Sequence, residues 1–298
     1  MDRLAIYVYY VRIMQRYLDP TNDVAFKKLF SNKARLIDLL NAILRLESGY
    51  RIMDLDYIPT EQMPLHIEGR RSIFDLKVKD EKGHWYIIEM QRKMGKDYLN
   101  RAQYYGCYSY VSQLKERLTH SDLLPVVVIS IIGTKAFPKD IPCISYHHLK
   151  ESTTKKQYLF SLSYVFIELS KFNNNQIKDN TDQWLHLLKY APDEMEPPKE
   201  IKNKCVLSAY EDLEQFRWSA AEHDDYIRSR LAQEAEEGII EAKYEEGLAK
   251  GKEEGLAKGK AEEKIKIAKE MLSNNEPIEK IIAYTQLSKE EIERLKSY

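Results

Sequence analysis

Residues 125–132 read PVVVISII, a short run that is apolar on every position but one. A strand with this pattern is buried on both faces, so it belongs inside a sheet that other layers cover on each side. Upstream, residues 73–79 alternate. Ile73, Asp75, Lys77 and Lys79 fall on one face, and Phe74, Leu76 and Val78 on the other. The stretch Asp80-Glu81-Lys82-Gly83-His84 is a turn, and residues 85–91 form a second strand, so the pair is expected as an antiparallel hairpin. These strands lie among helical patterns. Asn22 or Thr21 is placed to cap a helix carrying Val24, Phe26, Leu29 and Phe30. Ser31 is placed to cap a second helix that carries Leu36, Ile37, Leu40, Ile43 and Leu44 and ends near Gly49. Residues 97–118 form a helix rich in Tyr104, Tyr105, Tyr108 and Tyr110, residues 158–169 hold further strands, and the pattern turns helical from Thr181. The expected class is α/β.

The hairpin carries the chemistry. On a strand, residues two apart share a face, so Glu89 and Gln91 project together and Lys93 follows them. Across the turn, Asp75 is expected beside this pair. Two carboxylates at a strand edge form a hard-oxygen site suited to Mg²⁺ or Mn²⁺. Glu89 follows Ile87 and Ile88, and a carboxylate in a core strand is costly unless it is paired, hydrogen-bonded or metal-bound. The plainer alternative puts Glu89 at the exposed end of its strand, paired with Arg71 or Lys77.

The 298 residues include 46 Lys and Arg against 47 Asp and Glu, so no global basic charge advertises a nucleic-acid partner. Between residues 61 and 120 the balance is 11 basic to 8 acidic, a mild local excess. Cys107, Cys143 and Cys205 form no CxxC pair, which fits buried thiols in a reducing, cytoplasmic setting rather than disulfides or a zinc site. No apolar run is long enough to span a membrane. The seven histidines, among them the adjacent pair His147 and His148, form no ligand motif.

Toward the C-terminus the repeat GLAKGKEE–GLAKGKAE places glycines at 247, 251, 255 and 259. Charge and alanine favour a helix here, and four interior glycines oppose it by roughly 0.5–1 kcal/mol each. Such a stripe is either a solvated spacer or a surface for close approach of a second helix. A terminal helical hairpin follows, with Pro277 in a first turn and Ser288 with Glu291 at capping-box spacing.

Several pieces occur in one order: Asn22-Asp23-Val24-Ala25-Phe26-Lys27-Lys28-Leu29-Phe30, then Arg71…Asp75, Ile88-Glu89-Met90-Gln91, Arg101…Tyr105…Tyr108…Gln113, and the 125–131 strand. Together with the repeat and the terminal segments they resemble the Rpn family of recombination-promoting nucleases and transposase-like proteins, a branch of the PD-(D/E)XK superfamily. The resemblance spans roughly residues 17–298. It implies a restriction-endonuclease-like core, with a mixed central sheet flanked by helices and a helical C-terminal tail. It also implies DNA cleavage that depends on a divalent cation, Mg²⁺ or another such as Mn²⁺ or Ca²⁺.

By that resemblance the candidate catalytic residues are Asp75, Glu89, Gln91 and Asp23. Asp75 and Glu89 are the metal ligands, and Asp23 reaches the metal through a water. Gln91 stands where the wider superfamily has lysine. Glutamine orients a water by hydrogen bonds but carries no charge to offset an anion. Lys27 and Lys93 are candidates to supply that charge, and Arg71 and Arg101 to bind phosphates.

The expected organisation is an N-terminal segment 1–16, a nuclease core 17–172, a helical extension 173–232, and the repeat helix with its hairpin at 233–298. The expected partners are DNA and a second copy of the chain, paired through the C-terminal helices, with no membrane. A catalytically weak DNA-binding or scaffolding oligomer is the alternative that the missing lysine motivates.

Overall fold

The computed structural model describes residues 15–46, 49–62, 72–73, 75–114, 119–173 and 177–296. The N-terminal segment 1–14, together with Arg70, Arg71 and Phe74, lies outside them. Among the described residues, the chain enters on α1 (Asp23–Phe30) and α2 (Lys33–Ile43). Asn22 caps α1, its side chain accepting from the Val24 and Ala25 amides at 3.0 and 3.4 Å. The next cap is Asn32 rather than Ser31, and α2 stops at Ile43, six residues short of Gly49. Ser31 instead closes α1, its hydroxyl donating to the Lys28 carbonyl at 2.8 Å.

A six-stranded mixed sheet forms the centre. It is built from β1 (Leu55–Tyr57), β4 (Leu76–Asp80), β5 (Trp85–Gln91), β6 (Val126–Ile132), β7 (Ile144–His148) and β8 (Leu162–Glu168), in the spatial order β1-β4-β5-β6-β8-β7. Strands β5, β6 and β8 run parallel, with Ile87, Val128 and Tyr164 in register, and β4 pairs antiparallel with β5. The alternation expected over 73–79 is interrupted. Ser72–Ile73 is a separate strand, β3, that pairs with β2 (Glu61–Gln62) outside the main sheet, and β4 begins only at Leu76.

Each face of the sheet is covered, as the apolar β6 requires. Leu76, Val78, Ile88, Met90, Ile129, Ile131, Val165 and Ile167 share one core with α1, α2, α4 (Asn180–Tyr190) and α5 (Lys204–Leu213). Ile87, Val126, Val128, Ile132 and Phe166 face the other way, against Tyr98 and Ala102 of α3 (Tyr98–Val111). Arg35, 5% exposed, ties α2 to α5 by donating to the Ser208 hydroxyl at 2.9 Å and to Asp212 at 2.5 Å.

Two polar side chains are buried, and the expectation of buried thiols is corrected. Lys77 is buried, its ammonium 4.1 Å from the centre of the Trp85 ring, because the aromatic face replaces solvent for part of the charge. Burial pushes Lys77 down to about 8. Gln113 is buried and bonds both the amide and the carbonyl of Leu124, fastening the end of α3 to the entry of β6. Cys107 is exposed and Cys143 and Cys205 are half-buried, so none of the three is a deeply buried thiol.

The chain divides into two compact units after Gln233. The second contains most of the long helix α6 (Ala220–Ser273), then α7 (Ile278–Thr285) and α8 (Lys289–Lys296). Ala268, Ile281 and Ile292 form its small core. The capping box at its end is complete, with the Glu291 amide on the Ser288 hydroxyl and the Ser288 amide on the Glu291 carboxylate. Gly247, Gly251, Gly255 and Gly259 have nothing within 4 Å of where a Cβ would stand. Among the described residues, no helix is long and apolar enough to cross a membrane.

Candidate active site

The β4–β5 hairpin turns on Asp80. Its buried carboxylate accepts from the Tyr50 and Tyr86 hydroxyls at 2.9 and 2.8 Å and from the Lys82 and His84 amides at 3.0 and 2.8 Å. Gly83 takes the left-handed backbone (φ 86°) that closes the turn. This anchored turn fixes the register, with Leu76 opposite Ile88. One step further along the ladder places Asp75 beside Glu89.

The two acids do meet. Asp75 Oδ2 accepts from the Met90 amide at 2.7 Å, and the Asp75 amide hydrogen-bonds the Glu89 carboxylate. Glu89 is 4% exposed, which rules out the alternative that it sits at an exposed strand end. Its Oε1 is buried and has no hydrogen-bond partner. Burial first, and then the neighbouring Asp75 charge, push Glu89 well above the usual carboxylate range. Burial likewise pushes Asp75 up to about 6, with Asp23 adding to the rise. The donor set is oxygen-only, doubly acidic, partly unsatisfied and electrostatically uncomfortable without a cation, which fits a hard divalent ion. Among the described residues, no group of three or more His, Cys, Asp or Glu side chains forms a ready cage. A two-carboxylate site is what Mg²⁺, which keeps much of its water, commonly uses.

The remaining candidates fall around this pair. Asp23, in the first turn of α1, lies close enough to share a hydrogen bond with Asp75. Lys27 pairs with Asp23 at 2.7 Å, and its charge lowers both Asp75 and Glu89. Gln91 closes β5, and its Oε1 accepts from Arg101 Nη2 at 3.0 Å. Arg101 stands on α3 beside Glu89, whose pKa it lowers. Lys93 comes after the end of β5, so the strand alternation that linked it to Glu89 and Gln91 does not reach it. Arg71 lies outside the described residues. Arg92 faces Asp19 at 3.5 Å.

Two residues of the site escaped the sequence reading. Ser130 is in register with Glu89 on β6, and the buried Tyr98 hydroxyl donates to it at 2.9 Å. Burial pushes Tyr98 upward, so its hydroxyl stays a donor. The signal was present: Ser130 is the one polar residue inside the apolar run of β6.

A mixed sheet covered by helices, with two acids converging at the carboxyl end of its parallel strands, defines an α/β fold with a paired-carboxylate site. A family model described as PD-(D/E)XK nuclease family transposase matches residues 20–242. The chain belongs to that family, and the family gives it a nuclease-type function. Comparison with curated proteins and with solved structures gives no significant match.

Proposed function

We propose that this protein is a divalent-cation-dependent DNA endonuclease whose phosphodiester hydrolysis serves recombination or transposition. The observation that carries the reading is the buried, unpartnered Oε1 of Glu89 beside the raised carboxyl of Asp75. A native interior rarely leaves a carboxylate oxygen orphaned, and a cation is the partner this chemistry asks for. Asp75 and Glu89 would hold it, with Asp23 contributing through a water. When bound, the ion supplies Lewis-acid polarisation of the phosphodiester and offsets charge as the pentavalent state forms.

The chain's own residues do the positioning. Asp75 is clamped by the Met90 amide and Glu89 by the Asp75 amide, so neither has freedom to swing. Lys27 and Arg101 bring positive charge to the pair, which offsets the anionic charge gathered there. Arg71 and Lys93 are phosphate contacts in this reading.

Purified protein with Mg²⁺ is expected to nick or linearise plasmid DNA, and Asp75→Ala to abolish it. Equal activity in the variant refutes the assignment. Gln91 in place of lysine favours a second reading, a DNA-retaining scaffold without cleavage. It predicts salt-sensitive binding and intact plasmid under Mg²⁺, Mn²⁺ and Ca²⁺.

We further propose that α6 pairs two copies, so that two sites address two strands. The open glycine stripe and the exposed Leu248 and Leu256 support this. A dimer mass in light scattering that survives truncation after Gln233 counts against it.

A further inference from the structure

Arginine has only hydrogen-bond donors, so the Gln91 atom facing Arg101 Nη2 at 3.0 Å is the amide oxygen, and no flip of the amide is permitted. That fixes the chemistry of the other end. With its oxygen taken, Gln91 presents an NH₂ group, which only donates. Through that group it meets a water, which the sequence reading had it orient, or an anionic oxygen as a donor, and it offers no base. A donor hydrogen-bonded through its carbonyl to a cation is also polarised, and so is stronger toward an anion.

Arg101 is held for this task. It projects from α3 one turn after Tyr98, its guanidinium carbon 5.1 Å from the centre of the Tyr98 ring, and that ring is locked to Ser130. Its Nε is buried without a hydrogen-bond partner, so the group is not placed for its own satisfaction. The other cations fit less well. Lys27 is spoken for by Asp23 and 42% exposed, Lys77 is stacked on Trp85, and Lys93 lies past the strand.

We propose that Arg101 is a positioning residue that locks Gln91 as a polarised donor aimed at an anionic oxygen of the scissile phosphate. The two residues together then supply the donor and the positive charge that one lysine supplies elsewhere in this superfamily. This rests on the nuclease reading above.

The test has one arm that needs neither metal nor turnover. With ¹⁵N-labelled glutamine side chains in EDTA, the Gln91 NH₂ signal is assigned by its loss in Gln91→Met. A cation on the amide oxygen raises the C–N double-bond character. Rotation of the Gln91 amide is therefore expected to be about tenfold faster in Arg101→Gln than in the native chain. Equal rates overturn the lock.

The second arm compares single-turnover cleavage of duplex DNA under Mg²⁺ with duplex affinity in EDTA. Arg101→Gln is expected to slow cleavage by roughly 10²-fold, the scale of losing one oxyanion donor. Its affinity is expected to change by less than about threefold, since one phosphate-positioning contact is at most involved. Gln91→Lys combined with Arg101→Gln is expected to cut faster than Arg101→Gln alone, and Arg101→Lys to fall between native and Arg101→Gln. Equal loss of cleavage and affinity makes Arg101 a phosphate clamp and overturns the proposal, as does a double variant no faster than Arg101→Gln. A native protein that cuts nothing overturns the nuclease reading, and with it the action on phosphate. Unchanged amide rotation overturns the Arg101 lock alone.

Discussion

Asp75→Asn is expected to destroy activity and yet stabilise the metal-free protein. In the folded chain, burial and Asp23 raise Asp75 from an ordinary 3.8 to about 6. A group raised in this way disfavours folding wherever it is ionised. The conflict is fully present above pH 6, shrinks as pH falls, and vanishes below the ordinary carboxylate value. Roughly two pKa units at about 1.4 kcal/mol each amount to about 3 kcal/mol at pH 8. Asparagine removes the charge and keeps an oxygen for the Met90 amide, so much of that figure is recovered. In thermal terms each kcal/mol is worth roughly 2–4 °C. Urea unfolding in EDTA, followed through the buried Trp184, should show the variant more stable at pH 8 and the gap narrowing toward pH 4. Mg²⁺ should narrow it from the other side, since an ion at a hundred times its Kd adds about 2.7 kcal/mol to the native protein alone. A variant less stable than the native chain at pH 8 in EDTA refutes the electrostatic account of the site.

The Asp80 turn carries the opposite sign. Burial raises Asp80, but hydrogen bonds from Tyr86, Tyr50 and the His84 amide outweigh it and hold the carboxyl below its ordinary value. Its contribution is present above pH 4 and lost as pH falls through the folded value. Asp80→Asn should therefore be destabilised at pH 7 by denaturant melts, with the gap to native shrinking as pH falls below the ordinary carboxylate value. Lys171→Met should cost about 3 kcal/mol by urea titration, because Glu168, fully buried and 2.7 Å from that ammonium, loses its counter-charge. Replacing all four stripe glycines with alanine should raise helicity and stabilise the unpaired α6 by roughly 2–4 kcal/mol, read by circular dichroism on dilute protein, since within one copy no neighbour obstructs the added methyls.

The parts of the fold that were legible in the sequence are those whose causes are local. The Asn22 cap, the Asp80–His84 turn, the apolar β6 and the Ser288–Glu291 box each declare themselves within a few residues. What was not legible depends on partners distant in sequence. β7 reads as a polar ISYHH and becomes a strand only because β8 offers its free edge. Lys77 looks like a surface residue until the Trp85 ring covers it. Asp75 and Glu89 could be paired from the hairpin alone, whereas Arg101 reaches Gln91 from another element, and no spacing rule predicts that contact. The break between β3 and β4 was hidden because the alternation of residues 73–79 satisfies a single strand equally well.

The central claim is that Asp75 and Glu89 grip one hard cation, and anomalous diffraction from crystals grown with Mn²⁺ addresses it without any assay of activity. A single peak bonded to a carboxylate oxygen of each residue, with Glu89 Oε1 no longer orphaned, is the predicted result. Crystals that bind Mn²⁺ elsewhere, or at neither acid, would contradict it.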